Sequence, residues 1–193
     1  MQSVDEQWQS AFYETVNRYE IAEPLRDASL REDLRAWTTA LTAVVVATCA
    51  SVGWRASAKG HRADLLPVSR GEYLALDAMA FAGGESRWRF PTAVFELENS
   101  ATDDVVAYSL WKVLSVRADL RVVFCYRPSP QDGPTLVRLL KNDVVQAMGI
   151  AGRVALGGET LVVVGSRDNA ATFPHGFFKW WKLDTNTGAF RVM

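Results

Sequence analysis

Apolar positions recur along this chain of 193 residues with two different periods. From Ser3 to Tyr19, Trp8, Phe12, Val16 and Tyr19 return at helical spacing, and Ser3 with Glu6 forms a capping box at the start. Glu23-Pro24 is expected to break that helix, because proline has no N–H to give. A second box, Ser29 with Glu32, opens a longer helix in which Leu30, Leu34, Trp37, Leu41 and Val45 repeat at three and four. It should end near Gly53. The apolar stretch from Leu41 to Val52 is too short to cross a bilayer and reads as a buried helix.

The period then changes. Gly53 to Arg70 is basic and irregular, whereas Glu72 to Phe81 (EYLALDAMAF) is an unbroken strand candidate. Gly83-Gly84 marks a turn, and Thr92 to Glu98 (TAVFELE) completes a hairpin. Thr102 caps a helix with Asp103 and Asp104 in its first turn, where the dipole favours acids. On a wheel of about 100° per residue, Val105, Ser109, Val113 and Val116 form its apolar stripe, with Lys112 at the edge. Leu120 to Tyr126 (LRVVFCY) reads as a fully buried strand ended by Pro128 and Pro130. Pro134 to Met148 is expected to be helical, Glu159 to Gly165 a strand, and Phe177 to Met193 a hairpin turning at Asp184 to Gly188. This order predicts an α/β fold, a mixed central sheet with helices on both faces. The expected organisation is a single domain over 1–193, with a helical extension over 1–28, a core over 29–165 and a C-terminal hairpin over 166–193.

Composition narrows the classes. Hydrophobic residues at 49% and charged residues at 22% exclude a disordered chain, a collagen-like fibre and a disulfide scaffold. The formal charge of −1 leaves no global basic field, so a nucleic-acid partner needs a local patch. Cys49 and Cys125 sit in apolar runs and read as buried thiols. Only His61 and His175 could join them, which argues against zinc. The N-terminus lacks a basic region before an apolar one, so the expectation is a cytoplasmic protein with no membrane partner. There is no Walker-type Gly-Lys-Ser loop, no GxGxxG after a strand and no GxSxG elbow.

The chemistry concentrates in Phe95-Glu96-Leu97-Glu98. Alternate side chains of a strand share a face, so Glu96 and Glu98 point together, ~7 Å apart at Cα, while Phe95 and Leu97 enter the core. Asp77 lies among apolar residues of the preceding strand, and the hairpin could bring it beside them. An edge strand with one wet face would give the same triplet. A buried acid, however, is seldom left unpaired. Three converging carboxylates call for a hard divalent cation, and Mg²⁺ is the commonest.

Helix, strand with Asp77, strand with Glu96-x-Glu98, helix, strand: this order resembles the PD-(D/E)xK, or restriction-endonuclease-like, nucleases over roughly Ser29 to Arg127. The resemblance implies a Mg²⁺-dependent endonuclease that hydrolyses DNA phosphodiester bonds, with Mn²⁺ able to substitute. Asp77, Glu96 and Glu98 would hold the metal. The third motif position, usually Lys, is Glu98, as in an ExE minority of the family. There is no Pro-Asp dipeptide, and Asp64 competes with Asp77 as the motif acid. Lys112 is the candidate for a lysine supplied by the following helix, against a snorkelling surface lysine. Glu98 or Lys112 would orient the attacking water.

Arg55, Lys59, Arg62 and Arg70, with Arg87 and Arg89 beyond, are either phosphate contacts or solvated loop charge. Trp111, opposite its helix's apolar stripe, is either a partner or dimer contact or is packed beneath the N-terminal helix. Phe177-Phe178-Lys179-Trp180-Trp181 either stacks on bases or closes a sheet or interface. Oligomeric state is left open by the sequence, although a nuclease of this size that cuts both strands usually pairs as a homodimer. The rival is a non-catalytic binding or assembly module on the same fold.

Overall fold

The computed structural model describes residues 2–84 and 86–193. Three helices come first: α1 (Val4–Val16), α2 (Tyr19–Arg31) and α3 (Leu34–Ser51). The capping box of α1 is formed, with Ser3 N donating to Glu6 Oε2 at 3.2 Å. Pro24 does not end a helix; it lies inside α2. Both Pro24 and Glu20, whose carbonyl loses its intrahelical partner, are exposed, so the break in the ladder falls on the solvent side of the helix. The second expected cap is also displaced. Ser29 is within α2 and donates to Leu25 O at 2.7 Å, Glu32 ends that helix in the left-handed region, and Asp33 caps α3 by accepting from Ala36 N at 3.0 Å.

Among the described residues, seven strands form one sheet in sequence order: β1 (Arg55–Ala58), β2 (Ala78–Phe81), β3 (Ala93–Glu98), β4 (Leu120–Arg127), β5 (Glu159–Ser166), β6 (Phe178–Asp184) and β7 (Ala189–Val192). β3, β4 and β5 run parallel and the other neighbours antiparallel, which is the mixed sheet expected. Two corrections concern the first hairpin. β1 lies inside the segment expected to be irregular, its small residues pairing with β2 at the sheet edge. β2 starts only at Ala78, because Leu74 and Ala75 both take positive φ (56° and 54°) and turn the chain just before Asp77.

Helices α1 to α3 cover one face, burying Trp8, Phe12, Trp37 and Leu41 against Phe95, Leu97 and Phe124. The other face is covered by α4 (Asp103–Leu114) and α5 (Asp132–Leu140). A π turn over Lys141–Val145, a 3₁₀ turn over Gln146–Met148 and a short α6 (Gly149–Val154) follow α5. The helix expected from Pro134 to Met148 thus begins earlier and changes pitch. The buried side of α4 is Val106, Ser109, Leu110, Val113 and Leu114, whereas Val105 is exposed, a rotation from the expected stripe. Phe177, Phe178, Trp180 and Trp181 are buried on the two faces of the sheet, which withdraws them from base stacking. Cys49 and Cys125 are fully buried free thiols, and burial pushes both up to about 12.

Candidate active site

Register brings the acids together. Ala78 pairs with Phe95, so Asp77, one residue before β2, sits opposite Glu96. The amide of Leu97 donates to Asp77 Oδ2 at 2.7 Å and fixes that carboxylate beside β3. Glu96 points to the α4 side and is 2% exposed. There it meets Lys112, whose Nζ lies 2.7 Å from Glu96 Oε2 and donates to Ala75 O at 3.2 Å. The turn made by Leu74 and Ala75 therefore presents a carbonyl to the lysine and places Asp77 in one stroke. Lys112 Nζ also sits 5.5 Å from the centroid of the Tyr108 ring.

Electrostatics are set mainly by burial. Desolvation pushes Glu96 up to about 7, opposed by its bond to Lys112 and reinforced by Asp77. Asp77 is also raised by burial, against the Leu97 amide and Lys112. Glu96 Oε1 is buried and has no hydrogen-bond partner among the described residues. A buried acceptor in that state costs about 1–3 kcal/mol unless something meets it.

Glu98 is differently employed. Its Oε1 accepts from Ser100 N at 2.7 Å and its Oε2 from Ser109 Oγ at 3.3 Å, so it braces the chain leaving β3. Among the described residues, no three His, Cys, Asp or Glu side chains are grouped around one point, and Glu98 has its own partners apart from Asp77 and Glu96. Asp64 is exposed and paired with Ser69 Oγ, in the loop after β1. Asp77, not Asp64, faces Glu96.

The donor set that remains is two hard carboxylates, one with a bare buried oxygen. Mg²⁺ is commonly held by one or two carboxylates, with water and substrate phosphate completing the shell, so Asp77 and Glu96 fit such an ion. The basic residues do not gather there as a set. Arg55 is at the far end of β1, paired with Phe81, and Arg62 Nε donates to Ser69 Oγ at 2.9 Å. Arg70 is exposed in the following loop, and Lys59 sits in the turn after β1. Arg89 is spent on the carbonyls of Leu65, Ala82 and Gly84. Trp111 is exposed and stacked on Tyr108, their centroids 5.9 Å apart, on the face away from α1 to α3.

One residue that the sequence did not single out braces the site. Arg127, at the end of β4, is buried and donates to Ser100 O, Tyr126 O and Asp103 Oδ1 at 2.8 to 2.9 Å. It thereby ties the chain after Glu98 to the first turn of α4. A basic residue closing an apolar strand was the available signal.

The site is thus a mixed sheet with acids at the adjoining ends of β2 and β3 and a helix laid over them. Two solved structures resemble the chain in fold. NucC of P. aeruginosa in its cAAA-bound form superposes with a TM-score of 0.50 at 14% identity, over 100% of this chain and 84% of that one. The cAAA-bound NucC of E. coli gives 0.49 at 14% identity over the same shares. The likeness is one of fold. No protein-family profile and no curated protein sequence matches the chain.

Proposed function

We propose that this protein is a Mg²⁺-dependent endonuclease that hydrolyses DNA phosphodiester bonds at Asp77, Glu96 and Lys112. The observation that carries the reading is the Glu96–Lys112 pair at 2.7 Å beside Asp77, on a nuclease fold. Asp77 and Glu96 would hold the ion, and Mn²⁺, of the same hard character, would substitute. When bound, the ion supplies Lewis-acid polarisation of the phosphoryl group and neutralises charge that develops there.

The protein's own groups do the rest. An ammonium has three donors, and Lys112 gives two of them to Glu96 and Ala75 O. The third is left to orient the attacking water or to meet a phosphoryl oxygen as its charge grows. A fixed donor of that kind contributes most where water is excluded. Glu98 acts as a positioning residue, holding the Ser100 amide and the Ser109 hydroxyl so that β3 and α4 keep their spacing. The half-buried Asp77 is held by the Leu97 amide, so its free oxygen has one direction to face.

The test is cleavage of a supercoiled plasmid in Mg²⁺. Wild type is expected to nick or linearise it, EDTA to stop the reaction, and Glu96→Ala to slow it by on the order of 100-fold or more with the fold intact. Cleavage by Glu96→Ala at the wild-type rate would overturn the assignment. One observation favours the rival reading, a non-catalytic module: the position that usually carries lysine is Glu98, and it is fully engaged. On that reading wild type leaves the plasmid intact.

A further inference from the structure

A cleft of about 540 Å³ opens at the same end of the sheet as the carboxylates but on its α3 face, between the first half of α3 and the turn after β1. Its walls are Arg35, Thr38, Thr39 and Thr42 of α3, Lys59 to His61 of the turn, and Asn99, the residue after Glu98. Three of these are cationic or protonatable, and no carboxylate lines the cleft. Arg35, Lys59 and His61 are all exposed and form no ion pair among the described residues. The acids nearest in sequence are already committed: Glu32 to Arg167, and Asp33 to the Ala36 amide. Concentrated positive charge in a concave wall, without a counter-charge, raises the local concentration of anions.

Position says which anion. Ala58 pairs with Ala78, so the Lys59 turn begins opposite Asp77, and Asn99 continues directly from β3. The cleft and the carboxylate centre therefore share one end of the sheet, the carboxyl end of β3, with the cleft on the α3 face and Glu96 on the α4 face. Ligands of open α/β sheets bind at that end. Asn99 fixes the wall by donating to Leu34 O at 3.0 Å and Thr38 Oγ1 at 2.7 Å. The threonines spend their own protons on carbonyls one turn back, which leaves Arg35, Lys59 and His61 as the donors.

We infer that this cleft binds the phosphate backbone of the DNA strand beyond the cleavage point, with Arg35 and Lys59 as the charged contacts and His61 as a further donor. The inference rests on the nuclease reading. It assigns the sequence-independent part of DNA affinity to a place the reaction itself does not use. Backbone contacts of this kind fix register and orientation rather than sequence.

The experiment is fluorescence anisotropy of a labelled duplex oligonucleotide in EDTA, measured across a range of salt. Each phosphate contact adds ~0.9 to the slope of log affinity against log salt. Arg35→Gln and Lys59→Gln are each expected to flatten the slope by about one, and to weaken binding equally for unrelated sequences. Arg55→Gln, which removes the same charge at the far end of β1, should leave the slope as it was. All three positions are exposed, so melting temperatures should not move.

Wild-type slopes in both cleft variants overturn the inference while plasmid cleavage, measured separately, keeps the nuclease reading. An equal loss in Arg55→Gln also overturns it, since the effect would then be one of net charge. So would thermal stabilisation by inorganic phosphate, lost in the cleft variants while their DNA slopes stay unchanged, which would make this a small-anion site. If wild type neither binds nor cuts DNA, both readings fall together.

Discussion

At the scale of single residues, the informative group is Glu96, because it is buried, half-satisfied and shared. Its alternation with Phe95 and Leu97 was legible in the sequence, and so was Lys112 on the next helix. Spacing alone could not reveal that Glu98 would turn to the Ser100 amide, since that depends on how the chain leaves β3. The raised Glu96 has a consequence for stability. From its ordinary 4.5 to about 7 the folded protein holds a proton that the unfolded chain releases, so stability falls as pH rises through that window. Glu96→Gln, which cannot titrate, should flatten the fall. The check is urea unfolding in EDTA at several pH values across the window, for both proteins. A wild-type stability that rises with pH there, with no change in Glu96→Gln, would show that Lys112 outweighs burial.

At the scale of elements, periodicity located most helices and strands, and local chemistry misplaced their ends. Ser29 with Glu32 looks like a capping box in sequence, but Asp33 one residue on can accept from the N3 amide of a helix that starts at Leu34. Asp33→Ala should therefore cost about 1 kcal/mol, whereas Ser29→Ala, inside α2, should change stability by less than about 0.5 kcal/mol. Denaturant melts of the two variants decide between the caps, and the reverse ranking would restore the sequence reading. The strand expected from Glu72 was too long for a related reason. Its turn is made by Leu74 and Ala75 at positive φ, where glycine is the usual signal and none is present. That strained turn directly precedes Asp77 and offers the Ala75 carbonyl to Lys112, so the least legible stretch is part of the site.

At the scale of the whole molecule, the sheet is shared between a structural face and a chemical one. The N-terminal helices cover the first face, where Trp8 contacts Phe12, Phe95, Phe124 and Trp180 at centroid distances of 5.1 to 6.1 Å. Phe95 adjoins Glu96 in β3, so packing on one side holds the acid in place on the other. Trp8→Ala should cost about 3–5 kcal/mol, a large part of a typical domain's stability, by calorimetry or chemical melts. A cost under about 1 kcal/mol would mean that α1 is a loose appendage. The mixed sheet was legible because strand and helix patterns alternate through the middle of the chain. The cleft of Arg35, Lys59 and His61 was not, because two segments distant in sequence meet to build it beside Asn99. What unites both faces is the claim that Asp77 and Glu96 form a metal-dependent hydrolytic centre. Diffraction from crystals soaked in Mn²⁺, examined for anomalous density, tests it most directly. A peak between the carboxylates of Asp77 and Glu96, on the side of the bare Oε1, is the expected result. No peak there at saturating Mn²⁺, with both side chains well ordered and Lys112 still on Glu96, would contradict it.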